Sequence, residues 1–170
     1  MADVFTKAKR SEVMSRIRSR GNKDTELALA RLLRANRISG WRRQKTLIIR
    51  SSQRQLAHCS SGGSKSGAGS SVRADSRRRL RVRVDFVFRK ARTVIFVDGC
   101  FWHGCPKHAT TPKNNRAFWH RKLAGNQARD ALVNRTLRRT GWRVVRIWEC
   151  SLAKQPGQCV SRVQRAIARA

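Results

Sequence analysis

The 170-residue chain carries 40 Lys and Arg against nine Asp and Glu, a net charge of +31 and a pI near 12.0. That length supports one domain with a real core and is tight for two. So large an excess repels itself in a compact state and calls for a polyanion, DNA or RNA. The basic residues run the whole length, which disfavours a basic tail or a single membrane-surface helix.

No apolar run approaches the ~20 residues of a membrane span. The opening residues lack the apolar centre of a secretory signal. The expectation is a soluble, cytoplasmic protein without membrane contact. The five cysteines are an odd number, and three of them sit where metal ligands would, so a disulfide framework is the weaker reading.

Residues 3–20 read as a basic amphipathic helix with Val4, Ala8, Val13, Met14 and Ile17 partly in register, ended by Gly21. Asp24 or Thr25 caps a second helix from 26 to about 36, with Leu29, Leu32 and Leu33 as its apolar face. Glu26 lies in its first turn, where the helix dipole alone would favour a carboxylate. From 51 to 76 Ser and Gly dominate and apolar periodicity disappears. Such a composition buries too little surface to offset its ordering entropy. It predicts a disordered insert at about 50–79 interrupting one domain of 1–170, and makes His58 and Cys59 a poor metal pair.

Order returns with a half-buried strand at 81–88, whose second half is more apolar, and a buried strand at 94–97; together they predict a β-hairpin. A loop at 112–116 leads to a long basic helix, 117–139, with Trp119, Leu123, Leu132, Val133 and Leu137 for packing and Gly141 as its stop. A strand at 142–148 and a short helix at about 158–168 complete the chain. Strand, helix and strand in that order favour a mixed sheet with a crossover, an α/β architecture with flanking helices.

Two clusters carry chemistry. Cys100, Cys105 and His108 form C-x4-C-x2-H, and Cys150 at the end of a strand is the best fourth ligand, with His103 the competitor. Thiolates with imidazole select zinc, and a closed set of four makes it structural; the alternative is buried free thiols. The second cluster is acidic. Asp85 stands in an otherwise apolar strand, where an unpaired charge is costly, and Asp98 ends the neighbouring strand. Carboxylates so placed can hold Mg²⁺ for phosphodiester cleavage. His103 follows as a general acid or base, and Asp130, four residues from Asn126 on one helix face, can orient it. The alternatives are a salt bridge from Asp85 to an arginine and a surface role for Asp130. An aspartate, a hairpin and a second acid suggest a restriction-endonuclease-like core, but the lysine common two positions after the second acid is replaced by Cys100.

Val84-Asp85-Phe86-Val87-Phe88, then Asp98-Gly99-Cys100-Phe101-Trp102-His103-Gly104-Cys105-Pro106, Phe118-Trp119, Asn126, Asp130, Gly141-Trp142-Arg143-Val144 and Trp148-Glu149-Cys150 resemble the very short patch repair (Vsr) DNA mismatch endonucleases. Arg10-Ser11, Met14 and Asp24-Thr25-Glu26 fit that family too, and the resemblance covers about 3–49 and 84–152. It implies a monomeric bacterial enzyme, nucleoid-associated when bound, that nicks double-stranded DNA next to the T of a T:G mismatch, alongside other mismatch-repair proteins. By position it makes Asp85 the Mg²⁺ ligand, His103 the catalytic histidine supported by Asp130, and Glu26 an acid near the active site. Cys100, Cys105, His108 and Cys150 become the zinc ligands. Phe101, Trp102, Trp119 and Met14 become a wedge entering the DNA beside the mismatch, with Asn126 among the DNA-binding residues. The chain departs from the family in having Val84 where Pro is usual, Asp98 where some members carry histidine, and a long segment at 50–83. The competing readings are a zinc-stabilised DNA-binding protein with a disabled nuclease centre and a basic RNA-associated structural protein.

Overall fold

The computed structural model describes residues 12, 23–50, 72–75, 79–110, 112 and 115–168. Five strands form one mixed sheet: β1 (Trp41–Arg50), β2 (Val72–Asp75), β3 (Arg79–Phe88), β4 (Thr93–Asp98) and β5 (Arg143–Trp148). The order is β1-β3-β4-β5, and β2 also pairs with β3. β3 is the longest-shared strand. β1 runs antiparallel along all of it, from Trp41 opposite Phe88 to Arg50 opposite Arg79. On its other side β2 pairs with 79–82 and β4 with 86–88, both antiparallel. β4 and β5 are parallel, from Thr93 beside Arg143 to Asp98 beside Trp148. A parallel pair needs a crossover, supplied here by α2 (Arg116–Arg139).

Both faces of the sheet are covered, which is why β4 reads as an unbroken apolar run rather than an alternating one. On one face Leu29 and Leu33 of α1 (Ala28–Ala35), Leu152 of α3 (Glu149–Lys154) and Val160 and Val163 of α4 (Pro156–Ala168) pack with Phe86, Phe88, Ile95 and Ile147. The other cluster joins Val133 and Leu137 of α2 to Leu47, Ile49, Leu80, Val82, Val84, Val87, Val94 and Phe96. Each fully buried Leu or Phe contributes roughly 1.5–3 kcal/mol. The chain reverses between β3 and β4 through 89–92, and Arg92 ties that turn to the end of α2 by donating to the carbonyl oxygens of Thr140 (2.6 Å) and Gly141 (3.2 Å).

The hairpin of β3 and β4, the long helix, the crossover and the last helix are where the sequence predicts them. Four differences stand out. The second helix is entered by a π-helical turn, Lys23–Leu27, so Glu26 precedes the regular helix instead of lying in its first turn. The sequence assigns nothing to 37–49, where the structure has β1. A short helix, α3, directly follows β5. The insert expected to be disordered at about 50–79 lies mostly outside the described residues, but Arg50 ends β1, Val72–Asp75 form β2 and Arg79 begins β3; pairing with a strong central strand overrides the local composition. The helix expected at 3–20, with Met14, lies outside the described residues except for Glu12, which is helical. Among the described residues no helix is long and apolar enough to cross a membrane.

Candidate active site and metal centre

The site is assembled where β4 and β5 end and the loop after β4 begins, beside Asp85 within β3. The β3–β4 ladder stops at Phe86 opposite Ile95. One residue further, the side chain of Asp85 replaces the missing backbone partner, its Oδ2 accepting from the Val97 N–H at 2.8 Å. Burial pushes the Asp85 carboxyl up to about 7, against the Val97 hydrogen bond, and the nearby charges of Glu26 and Asp98 push the same way. Glu26 is itself buried; the Arg43 guanidinium lies 3.7 Å from its Oε2, which has no hydrogen-bond partner.

Asp98 at the end of β4 is 2% exposed and is held by Arg146, whose Nε and Nη2 donate to its two oxygens at 2.6 and 2.7 Å. The same guanidinium reaches Asp130 Oδ1 at 3.1 Å and Asn134 Oδ1 at 3.2 Å. Asp130 Oδ2 in turn lies 2.5 Å from His103 Nδ1, and Asp98 Oδ1 is 3.8 Å from that nitrogen. Burial alone would raise Asp130, but the His103 hydrogen bond and the charges of His103, Arg146 and Arg129 hold it below the usual carboxylate range. With Nδ1 fixed by a carboxylate, the imidazole's chemistry is directed to Nε2.

The loop that carries His103 is tightly wound. The His103 N–H donates to the Gly99 carbonyl (3.2 Å), that of Cys105 to Cys100 (2.9 Å) and that of Ala109 to Cys105 (2.9 Å). Gly104 has a φ of +66°, a backbone conformation that favours glycine, and a Cβ there would have to displace the amide end of Gln127. Glu149 Oε2 accepts from the Cys100 N–H at 3.2 Å, pinning the loop to the start of α3. Asn126, buried on α2, donates to the Trp102 carbonyl at 2.9 Å. Its amide therefore fixes the loop backbone.

Phe101, Trp102 and Trp119 come together as expected, with centroids 5.0 Å apart for Phe101–Trp102, 5.3 Å for Phe101–Trp119 and 6.1 Å for Trp102–Trp119. Phe118 adds to this set, stacked edge-on against Trp119 at 5.3 Å and 44% exposed. None of the three predicted aromatics is buried in either core cluster.

Cys100, Cys105, His108 and Cys150 also converge, one ligand atom from each within 4.8 Å of all the others. Cys105 Sγ lies 3.7 Å from Cys150 Sγ and 3.8 Å from His108 Nδ1. Ligands bound at about 2.3 Å and tetrahedral angles lie about 3.8 Å apart, so this donor set fits zinc. Desolvation and the other sulfurs push the Cys100 thiol up to about 12, whereas the Lys107 and His108 N–H groups and the His108 ring overcome desolvation to bring Cys105 down to about 6. His103, the competing ligand, is engaged with Asp130.

A family model described as DNA mismatch endonuclease Vsr matches residues 66–109. The type II nicking enzyme V.NaeI of Lentzea aerocolonigenes is 46% identical over 70 residues, which cover 41% of this chain and 42% of that protein. DNA mismatch endonuclease Vsr of Escherichia coli (strain K12) is 41% identical over 71 residues, 41% of this chain and 46% of that protein. These matches span less than half the length of those relatives. The type II nicking enzyme V.NmeAIP of Neisseria meningitidis serogroup A is 30% identical over 169 residues, 98% of this chain and 95% of that protein. The chain belongs to the Vsr DNA mismatch endonuclease family.

Within this Vsr-family chain the sequence missed Arg146, the residue that joins Asp98 to Asp130. The available signal was a charge set between Val145 and Ile147 in an apolar strand, the same signal that singles out Asp85. It also missed Glu149 as the anchor of the loop. Asp98, expected beside Asp85 as a catalytic acid, has both oxygens on Arg146.

Proposed function

We propose that this protein nicks one strand of duplex DNA next to the T of a T:G mismatch by Mg²⁺-dependent phosphodiester hydrolysis, on a restriction-endonuclease-like core stabilised by zinc. The observation that carries the reading is the His103–Asp130 pair at 2.5 Å, with His103 on the loop that also bears Phe101 and Trp102. A proton acceptor beside side chains suited to enter a base stack supports cleavage at a mismatch.

The residues present fit a divalent cation at Asp85. Oxygen donors suit Mg²⁺, and a buried Asp85 with the charges of Glu26 and Asp98 nearby is short of positive charge. When bound there, Mg²⁺ supplies charge that offsets the negative charge growing on the phosphodiester in the transition state. His103 Nε2 takes the proton of the attacking water, and Asp130 stabilises the imidazolium that results. Arg146 holds Asp130 and Asp98 in place. The wobble pair unstacks more readily than a matched one, so Phe101, Trp102 and Trp119 select it by insertion. V.NaeI and V.NmeAIP are named as nicking enzymes, which supports single-strand cleavage.

The test is a labelled duplex with one T:G mismatch and its matched T:A twin, each with Mg²⁺ or EDTA. The expected result is one nick at the mismatched T that needs Mg²⁺, disappears in Asp85→Ala, and falls at least 100-fold in His103→Ala and Asp130→Asn. Binding without a nick across several flanking sequences would sink the enzyme reading and leave a zinc-stabilised DNA-binding protein.

A further inference from the structure

β5 is the outermost strand on its side of the sheet, with β4 along one edge and no described strand along the other. The Arg143 N–H donates inward, to the Arg92 carbonyl at 2.8 Å. Backbone groups of successive strand residues point to opposite edges, so those of Val144 and Arg146 point outward. A contact from α4 agrees: Arg162 Nη2 donates to the Arg146 carbonyl at 3.0 Å. That closes one outward rung. Among the described residues no strand pairs with the other, at Val144, and an open rung of this kind invites an added chain.

Val144 lines a groove of about 660 Å³ between the end of α2 and α4, a size typical of ligand sites. Its walls include Arg138, Arg143, Arg162 and Arg165, all exposed, and the half-buried Trp142. No acid lines it, and the sequence has none from 131 to 148 or after Glu149. Part of the basic rim is anchored, by Arg162 on Arg146 and by Arg143 Nη1 donating to the Ala166 carbonyl at 3.1 Å. The groove therefore combines an outward backbone donor and acceptor, an apolar patch and a basic rim held in place.

We propose that this groove docks a short, extended, acidic segment of a protein partner. The segment adds to the β5 edge at Val144 and sets its carboxylates against Arg138 and Arg165. The groove is separate from the chemistry: Trp148, beside Asp98, is four residues further along β5, about 13 Å at ~3.3 Å per residue. A duplex phosphate would satisfy the arginines alone. It has no peptide group for the Val144 rung, and a duplex is a convex rod, whereas a helix bounds each side of the groove. Protecting a strand edge from self-association accounts for Arg162, which caps a rung. It does not account for Arg138 and Arg165, which leave the neighbouring rung uncovered.

The test follows the fluorescence anisotropy of a labelled octapeptide of alternating Glu and Val on the full-length, zinc-supplied protein, at about 0.15 M salt to screen general attraction. The comparison ligands are the same peptide methylated at every backbone nitrogen and an oligo-dT of matched length. The groove variant is Arg138→Glu with Arg165→Glu. Its control is Arg121→Glu with Lys122→Glu, an equal change of charge at exposed positions of α2. Saturable binding of one peptide per protein is expected. It is at least tenfold weaker in the groove variant, as for two lost charge-assisted hydrogen bonds, and within about threefold of wild type in the control. Methylation of the peptide also weakens it at least tenfold. Both variants melt near the wild-type temperature, because the side chains replaced are exposed. Equal losses in the two variants, or undiminished binding of the methylated peptide, would reduce the groove to general attraction for anions and overturn the proposal. Absence of peptide binding would overturn it as well. Loss of oligo-dT binding alone in the groove variant would make the groove a nucleic-acid contact instead.

Discussion

On the proposed function Asp85 must satisfy two opposing demands: burial favours its neutral form, and holding a cation requires the charged one. Its carboxyl titrates near 7 in the folded protein against 3.8 as the ordinary value. Between those two pH values the folded state retains a proton that the unfolded chain has released. Folding stability in the absence of a divalent ion therefore falls as pH rises from about 4 to about 7, and the penalty is complete above that. Asp85→Asn removes the penalty. Urea unfolding in EDTA is expected to find the variant about 2–4 kcal/mol more stable than wild type at pH 8 and the two nearly equal at pH 4. Equal stabilities at pH 8 would mean that Asp85 is ionised at no expense, and that its neighbours already neutralise it. The same titration makes ion binding release a proton, so apparent affinity for the ion climbs between about pH 6 and 8.

Among the elements, the loop from Gly99 to Ala109 has the least structure of its own and the most function. It is fastened at the start of α3 by Glu149 and Cys150, at α2 by Asn126 and internally by the cysteine cluster. Removing zinc with a chelator, or replacing Cys105 by Ser, is expected to release this loop. The predicted signature is loss of tryptophan near-ultraviolet dichroism and of nicking with most far-ultraviolet signal retained, because the sheet clusters do not include the loop aromatics. Collapse of the far-ultraviolet signal instead would make the metal a condition of the whole fold. The loop was legible in the sequence because ligand spacing is a local property. So were β3, β4 and β5, whose apolar runs are bounded by charge and glycine. β1 was not: WRRQKTLIIR has no clean alternation, since its first half is mostly charged and polar and only Leu47 and Ile49 are buried. Arg146 was hidden for a different reason. Its importance arises from partners 16 to 48 residues away, a separation that leaves no mark on neighbouring letters.

At the scale of the molecule, the charge distribution is a basic body around an acidic focus. Four of nine acids, Glu26, Asp85, Asp98 and Asp130, are linked through Arg146, Arg43 and their mutual fields. A basic body of this kind attracts a duplex through its phosphates at long range, and on the proposed function the focus recruits the small cation that lets one phosphate approach. The sheet also isolates this focus from chain-length variation. β1 ends and β3 begins at the paired rung of Arg50 and Arg79, six residues from Asp85 and so about 20 Å away at ~3.3 Å per strand residue. Replacing 51–71 by a short Gly-Ser linker is expected to leave the nicking rate within about twofold, because loop closure depends only weakly on length; a tenfold loss would mean that those residues touch the substrate. The antiparallel ribbon thus works as a handle whose grip is far from the blade, and its tip is the place to splice a peptide tag in the laboratory.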